Sequence, residues 1–173
     1  MGERPDGVQG RRILVISNET VTGTVLHEAL RFRARNVGGE ILVVVPALHS
    51  RVRQWMSDVD GVRRAAEERL ARSLERLAAA GIHARGQIGD RDPIQAIADA
   101  LGVFAADEII ITTHPEARSR WLAHDLVFRA RARFDQPVLH IVVDLEQHQD
   151  YVAPDPSPRV VRDPAHAPML TAS

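Results

Sequence analysis

The segment GDRDPIQAIADALGVFAADEIIIT, residues 89–112, decides the fold. It opens on Gly89-Asp90-Arg91-Asp92-Pro93. Asp92 suits a helix N-cap, and Pro93 suits the first helical position, where its missing amide would have no intrahelical partner anyway. Ile94, Ile97, Ala98, Leu101 and Ala105 then recur at helical spacing and predict a buried stripe. Glu108-Ile109-Ile110-Ile111-Thr112 follows as a short run without alternation, the pattern of a strand buried on both faces. A helix feeding directly into such a strand is the second half of a β-α-β unit.

The same pattern repeats on both sides. Upstream, Ile82 to Ile88 alternates apolar and polar residues and predicts a half-exposed strand at a sheet edge. Before it, residues 59–80 predict a long helix with Val62, Ala65, Ala66, Leu70, Leu74, Leu77 and Ala78 inward, ended by Gly81. Further back lie a strand over residues 41–45 closed by Pro46, and a helix through Val25, Leu26, Ala29, Leu30, Ala34 and Val37 stopped by Gly38-Gly39. The first strand is the apolar run of residues 12–16. Downstream, residues 117–134 predict a helix with Trp121, Leu122, Leu126, Ala130 and Phe134 inward. Pro137 opens a fifth strand over residues 138–143. Strand and helix alternate throughout. The expected fold is therefore α/β and Rossmann-like, with a five-stranded parallel sheet, right-handed crossovers and helices on both faces. Residues 1–10 read as a flexible arm and 11–145 as one domain. Residues 146–173 hold five of the ten prolines and read as a disordered tail.

Composition excludes more than it selects. The formal net charge of -1 gives no global field for nucleic acid or an anionic membrane. No apolar run reaches the ~18–20 residues of a membrane helix, and the first residues lack a signal-peptide core, so the cytoplasm is expected. With no cysteine, thiolate nucleophiles and zinc–thiolate sites fall away. All 22 basic residues are arginine, which removes Walker A and Schiff-base lysines. Gly-x-Ser-x-Gly and G-x-G-x-x-G motifs are absent, and no array of side chains has metal-ligand spacing, so neither a catalytic residue nor a metal is assigned.

Taken together, several segments resemble the universal stress protein family: residues 13–20 its first strand and turn, residues 41–46 its second strand, and Gly89-Asp90-Arg91-Asp92-Pro93 the opening of its third helix. Ala106-Asp107-Glu108-Ile109-Ile110-Ile111 is similar to its fourth strand, and Gln136-Pro137-Val138 to the start of its fifth. The resemblance covers residues 11–143. It implies an adenine-nucleotide alpha hydrolase-like sheet of order 3-2-1-4-5 and a homodimer paired through the fifth strands. Val138, Leu139, Ile141, Val142 and Val143 would form that edge, an aggregation risk unless paired. The family's ATP-binding members follow the fourth strand with G-x2-G-x9-G-(S/T), whose backbone amides wrap the phosphates. Here no glycine follows Gly102, Pro115 removes an amide, and Asn18 stands where the family has an acidic residue. ATP binding in the family's manner is not expected, and no cofactor is assigned.

Candidate ligand residues gather after the first and fourth strands, where an open sheet of this kind binds ligands. They are Asn18, Thr20, Thr112, His114, Arg118, Ser119 and Arg120. Arginines beside a helix N-terminus suit a phosphate group; the plainer reading is a solvated basic face. His114 and His124 suit a base or nucleobase contact, or a structural role. Asp90 and Asp92 suggest a carboxylate pair, but turn formation and capping explain both. A hydrolase of nucleotides or phosphoesters, which would lack a lysine, a glycine cradle and a metal-binding carboxylate set, stands third. Two functions lead. One is a non-catalytic, homodimeric stress-response or regulatory protein. The other is a sensor for an adenine nucleotide or another phosphate ligand.

Overall fold

Ten elements follow one another in the chain: β1 (Arg12–Ser17), α1 (Thr24–Arg33), β2 (Glu40–Pro46), α2 (Val59–Ala79), β3 (Arg85–Gly89), α3 (Pro93–Val103), β4 (Glu108–Thr113), α4 (Ala117–Arg133), β5 (Val138–Asp144) and β6 (Gln149–Val152). They belong to a computed structural model that describes residues 10–17, 23–33, 39–47, 59–113, 117–144 and 149–153. The strands form one sheet of order β3-β2-β1-β4-β5-β6. Five are parallel, and β6 returns antiparallel along β5. The chain runs outward from β1 to β3, then crosses back to β4. The order therefore reverses between β1 and β4, as in a doubly wound sheet.

Alternation along the central strands divides the core in two. Ile13 and Val15 of β1, Val43 and Val45 of β2, Ile110 of β4 and Ile141 of β5 meet Leu26 and Leu30 of α1 and Ala66 and Leu77 of α2. On the other face, Leu14, Ile16, Val44, Ile109 and Ile111 meet Ile94, Ile97 and Ala100 of α3 and Val127 and Ala130 of α4. β1 and β4 are apolar on both faces because both faces are covered.

Caps fix where the helices begin and end. Asp92 accepts from the Ile94 amide at 3.0 Å and caps α3, with Pro93 at its first position. At the end of α2, Gly81 adopts φ +73°, its amide bonds Ala78 O, and Ile82 N bonds Leu77 O at 2.8 Å. That is the double bond of a Schellman cap, which favours glycine because other residues are strained at positive φ. Arg31 of α1 donates to the Ala80 carbonyl beside this cap.

At the amino ends of the strands, acidic and basic side chains tie the layers together. Glu108 is buried, and Arg33 Nε approaches both its carboxylate oxygens at 2.9 Å, with Arg11 3.4 Å away. Asp107 accepts from Arg12 N through its side chain and donates its own amide to Arg12 O, both at 2.8 Å. The Arg12 and Arg85 guanidinium groups lie 4.6 and 5.7 Å from the buried Phe104 ring.

Four expectations need correction. The sheet has six strands, not five, because β6 falls within the segment read as a disordered tail; its backbone pairs with β5 from Ile141↔Val152 to Asp144↔Gln149. Consequently β5, with Val138, Leu139, Ile141, Val142 and Val143, is not an edge strand. The edge strand on that side is β6. α3 ends at Val103 and Phe104 is extended, which turns Phe104 inward and leaves Ala105 exposed. Ala65 and Ala78 of α2 are exposed too, while Ser73 is buried and donates to Arg69 O at 2.8 Å.

Candidate functional site

The switch point between β1 and β4 lies where their carboxyl ends run side by side, Ser17 beside Thr112. After their first residues, Arg12 and Glu108, both strands are aliphatic up to this level and turn polar again here. Thr112 Oγ1 donates to Ser17 Oγ at 2.8 Å, with Ile16 O as a second, longer contact at 3.4 Å. Both hydroxyls are buried, on the face covered by α1 and α2. Their pairing follows from burial, since a hydroxyl removed from water without a partner costs about 1–3 kcal/mol.

One residue further on, the polarity passes to the other face. Thr113 Oγ1 lies 2.8 Å from His140 Nε2, across the β4–β5 pair. In the ladder, His140 stands opposite Ile111, and Thr113 opposite Val142. The contact is therefore diagonal on the α3/α4 face, within reach of a long side chain. His140 is 5% exposed. A hydroxyl against an imidazole is the pairing of an activated nucleophile with its base, but the imidazole here lies under cover.

The carboxyl end of β3 completes this rim. Asp90 Oδ1 accepts from the Asp92 amide at 2.8 Å, closing an Asx turn, and Asp92 caps α3. The Asp92 carboxylate also lies 3.5 Å from Arg129 of α4. Each aspartate thus has a turn or capping role. Among the described residues no group of three or more histidine or acidic side chains could hold a metal ion. No described helix is long and apolar enough to cross a membrane.

Of the ligand residues expected from sequence, Thr112 lies in the rim, bonded to Ser17. Asn18, Thr20 and His114 lie outside the described residues. Arg118, Ser119 and Arg120 fall in the first turn of α4, close in sequence to the end of β4, and their side chains are likewise outside the described set. Sequence reasoning missed Thr113 and His140. The available signal was a lone histidine inside the aliphatic run of residues 138–143, since a polar side chain in a covered strand needs a partner.

These features define a class: an open, mainly parallel α/β protein with a closed polar seam at its switch point. No protein-family model matches the sequence, and no curated protein matches it. Among solved structures, the chain is similar to a universal stress protein family protein from Arabidopsis thaliana with AMP bound. The identity is 12% and the TM-score 0.46, over 79% of this chain and 94% of that one.

Proposed function

We propose that this chain is a universal-stress-protein-like regulatory protein of the cytoplasm, acting by binding and as a homodimer rather than by catalysis. The strand order β3-β2-β1-β4-β5 agrees with the order that the resemblance to the family implies. The observation that carries the non-catalytic reading is the closed seam. Ser17, Thr112 and His140 are at most 6% exposed, and the described hydroxyls of the rim bond to each other or to the imidazole. A nucleophile and its base need access to substrate, and Ser17, Thr112 and the His140 imidazole are covered, leaving only Thr113 partly open. The chain also lacks lysine, and it lacks glycine after Gly102 to cup a triphosphate.

A second reading is a phosphate-ligand sensor using Arg118, Ser119 and Arg120 with Asn18, Thr20, Thr112 and His114. It is favoured by the start of α4 at Ala117, four residues after β4 ends at Thr113. The N-terminus of α4, whose first turn holds Arg118, Ser119 and Arg120, then follows closely on the carboxyl end of β4, and a helix N-terminus with arginine suits a phosphate.

Thermal unfolding with adenine nucleotides, alongside a turnover assay, separates the readings. The first expects no hydrolysis above background and no shift with millimolar ATP and magnesium. A ligand at about 100 times its dissociation constant adds about 2.7 kcal/mol of stability. Such a gain, lost in Arg118→Ala/Arg120→Ala, moves the conclusion to the sensor. Turnover that is abolished by His140→Ala would overturn the non-catalytic reading.

A further inference from the structure

We infer that two copies of this chain pair through the outer edge of β6, flanked by Phe32 on one face of the sheet and Phe128 on the other. This rests on the homodimer reading above and moves the contact from β5, which β6 already occupies.

The backbone of β6 shows which of its groups remain for a partner. Ala153 N donates to His140 O, so residues 149, 151 and 153 turn their amides and carbonyls toward β5. The amides and carbonyls of Asp150 and Val152 consequently point away from the sheet. Side chains add to this edge. Tyr151 and Val152 are 46% and 49% exposed. A strand end meant to stay single is usually guarded by charge on such positions; these two are apolar or aromatic.

The neighbouring helices turn apolar side chains to the same side. In α4, Arg129 pairs with Asp92 at the start of α3, whereas Arg131 donates to Val138 O on β5. Phe128 stands three residues before Arg131 and shares its flank, the one toward β5. In α1, Leu26 and Leu30 enter the core and Arg31 reaches toward the end of α2. Phe32 falls on the other flank, the side on which α1 meets β6. Five large hydrophobic side chains are exposed among the described residues: Tyr151 and Val152 stand on β6 itself, and Phe32 and Phe128 on α1 and α4, one helix on each face of the sheet. The fifth is Val103.

A second copy fits this edge better than an unrelated partner. Two β6 strands pairing antiparallel are related by a two-fold axis perpendicular to the sheet. That operation sets α1 beside its counterpart on one face and α4 beside its counterpart on the other. Phe32 and Phe128 are then brought toward their own counterparts. With aromatic side chains of about 150–250 Å² each, the four residues expose roughly 400 Å². That is about half of the ~800 Å² each partner supplies in a standard interface, leaving the strand backbone and helix flanks to supply the rest.

The test is sedimentation equilibrium of the full chain and two variants, with circular dichroism to confirm folding. Val152→Pro deletes an outward amide and leaves the β5–β6 bonds intact; Phe128→Glu charges a helix position that is 70% exposed. The expected result is a dimer whose dissociation constant rises at least about tenfold in each variant. A dimer of unchanged strength in both variants would leave the homodimer standing and remove β6 as its surface. A wild-type chain that stays monomeric at about 100 μM overturns the homodimer itself.

Discussion

Gly89, the last residue of β3, sets how closely α3 can approach the sheet. A Cβ at this position would stand 2.7 Å from the Ala96 Cβ and 2.7 Å from Val44 Cγ1. Ala96 belongs to the helix and has no rotamer to yield, and Val44 is fully buried. Gly86, on the same strand, faces the other layer and would set its Cβ 2.6 Å from Leu70 Cδ1. That atom ends a flexible side chain and can turn aside. Gly89→Ala is therefore expected to cost about 1–3 kcal/mol by overpacking, and Gly86→Ala distinctly less. Urea denaturation of the two variants measures both, and equal losses would show that the α3 approach is not limiting. Single residues also mark what was legible in the sequence. Asp92 and Pro93 declare their roles because a cap is local chemistry, written within three residues. His140, Thr113 and Ser73 did not, since each is polar, at least half-buried and satisfied by a partner that only folding or a helical turn supplies. Asn18, Thr20 and His114 remain sequence expectations.

At the scale of elements, α3 shows how a cap becomes a tertiary contact. Asp92 bonds the Ile94 amide and also lies 3.5 Å from Arg129, so the start of α3 is linked to α4. The ion pair is half exposed on both sides and adds little in water. The cap itself carries the effect, and Asp92→Ala should cost about 1 kcal/mol in thermal unfolding, whereas Asp92→Asn, which keeps the accepting oxygen, should cost less. An equal loss in both variants would assign the effect to the charge instead. Five strands and four helices were legible because each carries a full apolar stripe or run. β6 was not: Gln149-Asp150-Tyr151-Val152 has two apolar residues beside a proline-rich segment, and its stability comes from β5. The strand read from Ile82 begins instead at Arg85, because Ile82 is taken up in the cap that ends α2. Periodicity records which side chains are covered; it does not distinguish a strand from a helix cap.

For the molecule as a whole, the question is what covers the aliphatic fifth strand of the sheet. Ile141 and Val143 face the α1/α2 layer with Val152 and Asp150 of β6 opposite them, while His140, Val142 and Asp144 turn their outer amides and carbonyls to β6. α1 touches β6 as well, so that layer extends over the last strand. Ending the chain after Asp144 removes this cover and opens a seven-residue edge of high β propensity. Ending it after Ala153 keeps β6 in place. The longer variant is expected to match the full chain in stability and size. The shorter one should lose about 1–3 kcal/mol, from partly uncovered aliphatic side chains and lost ladder bonds. It should also form polydisperse assemblies, seen by light scattering at concentrations where the longer variant is uniform. The two effects have one cause: the outer backbone of β5 has either an intramolecular partner or an intermolecular one. If the shorter chain proved equally stable and uniform, β6 would be an ornament on a five-stranded sheet, and the contact between copies would belong to β5 after all.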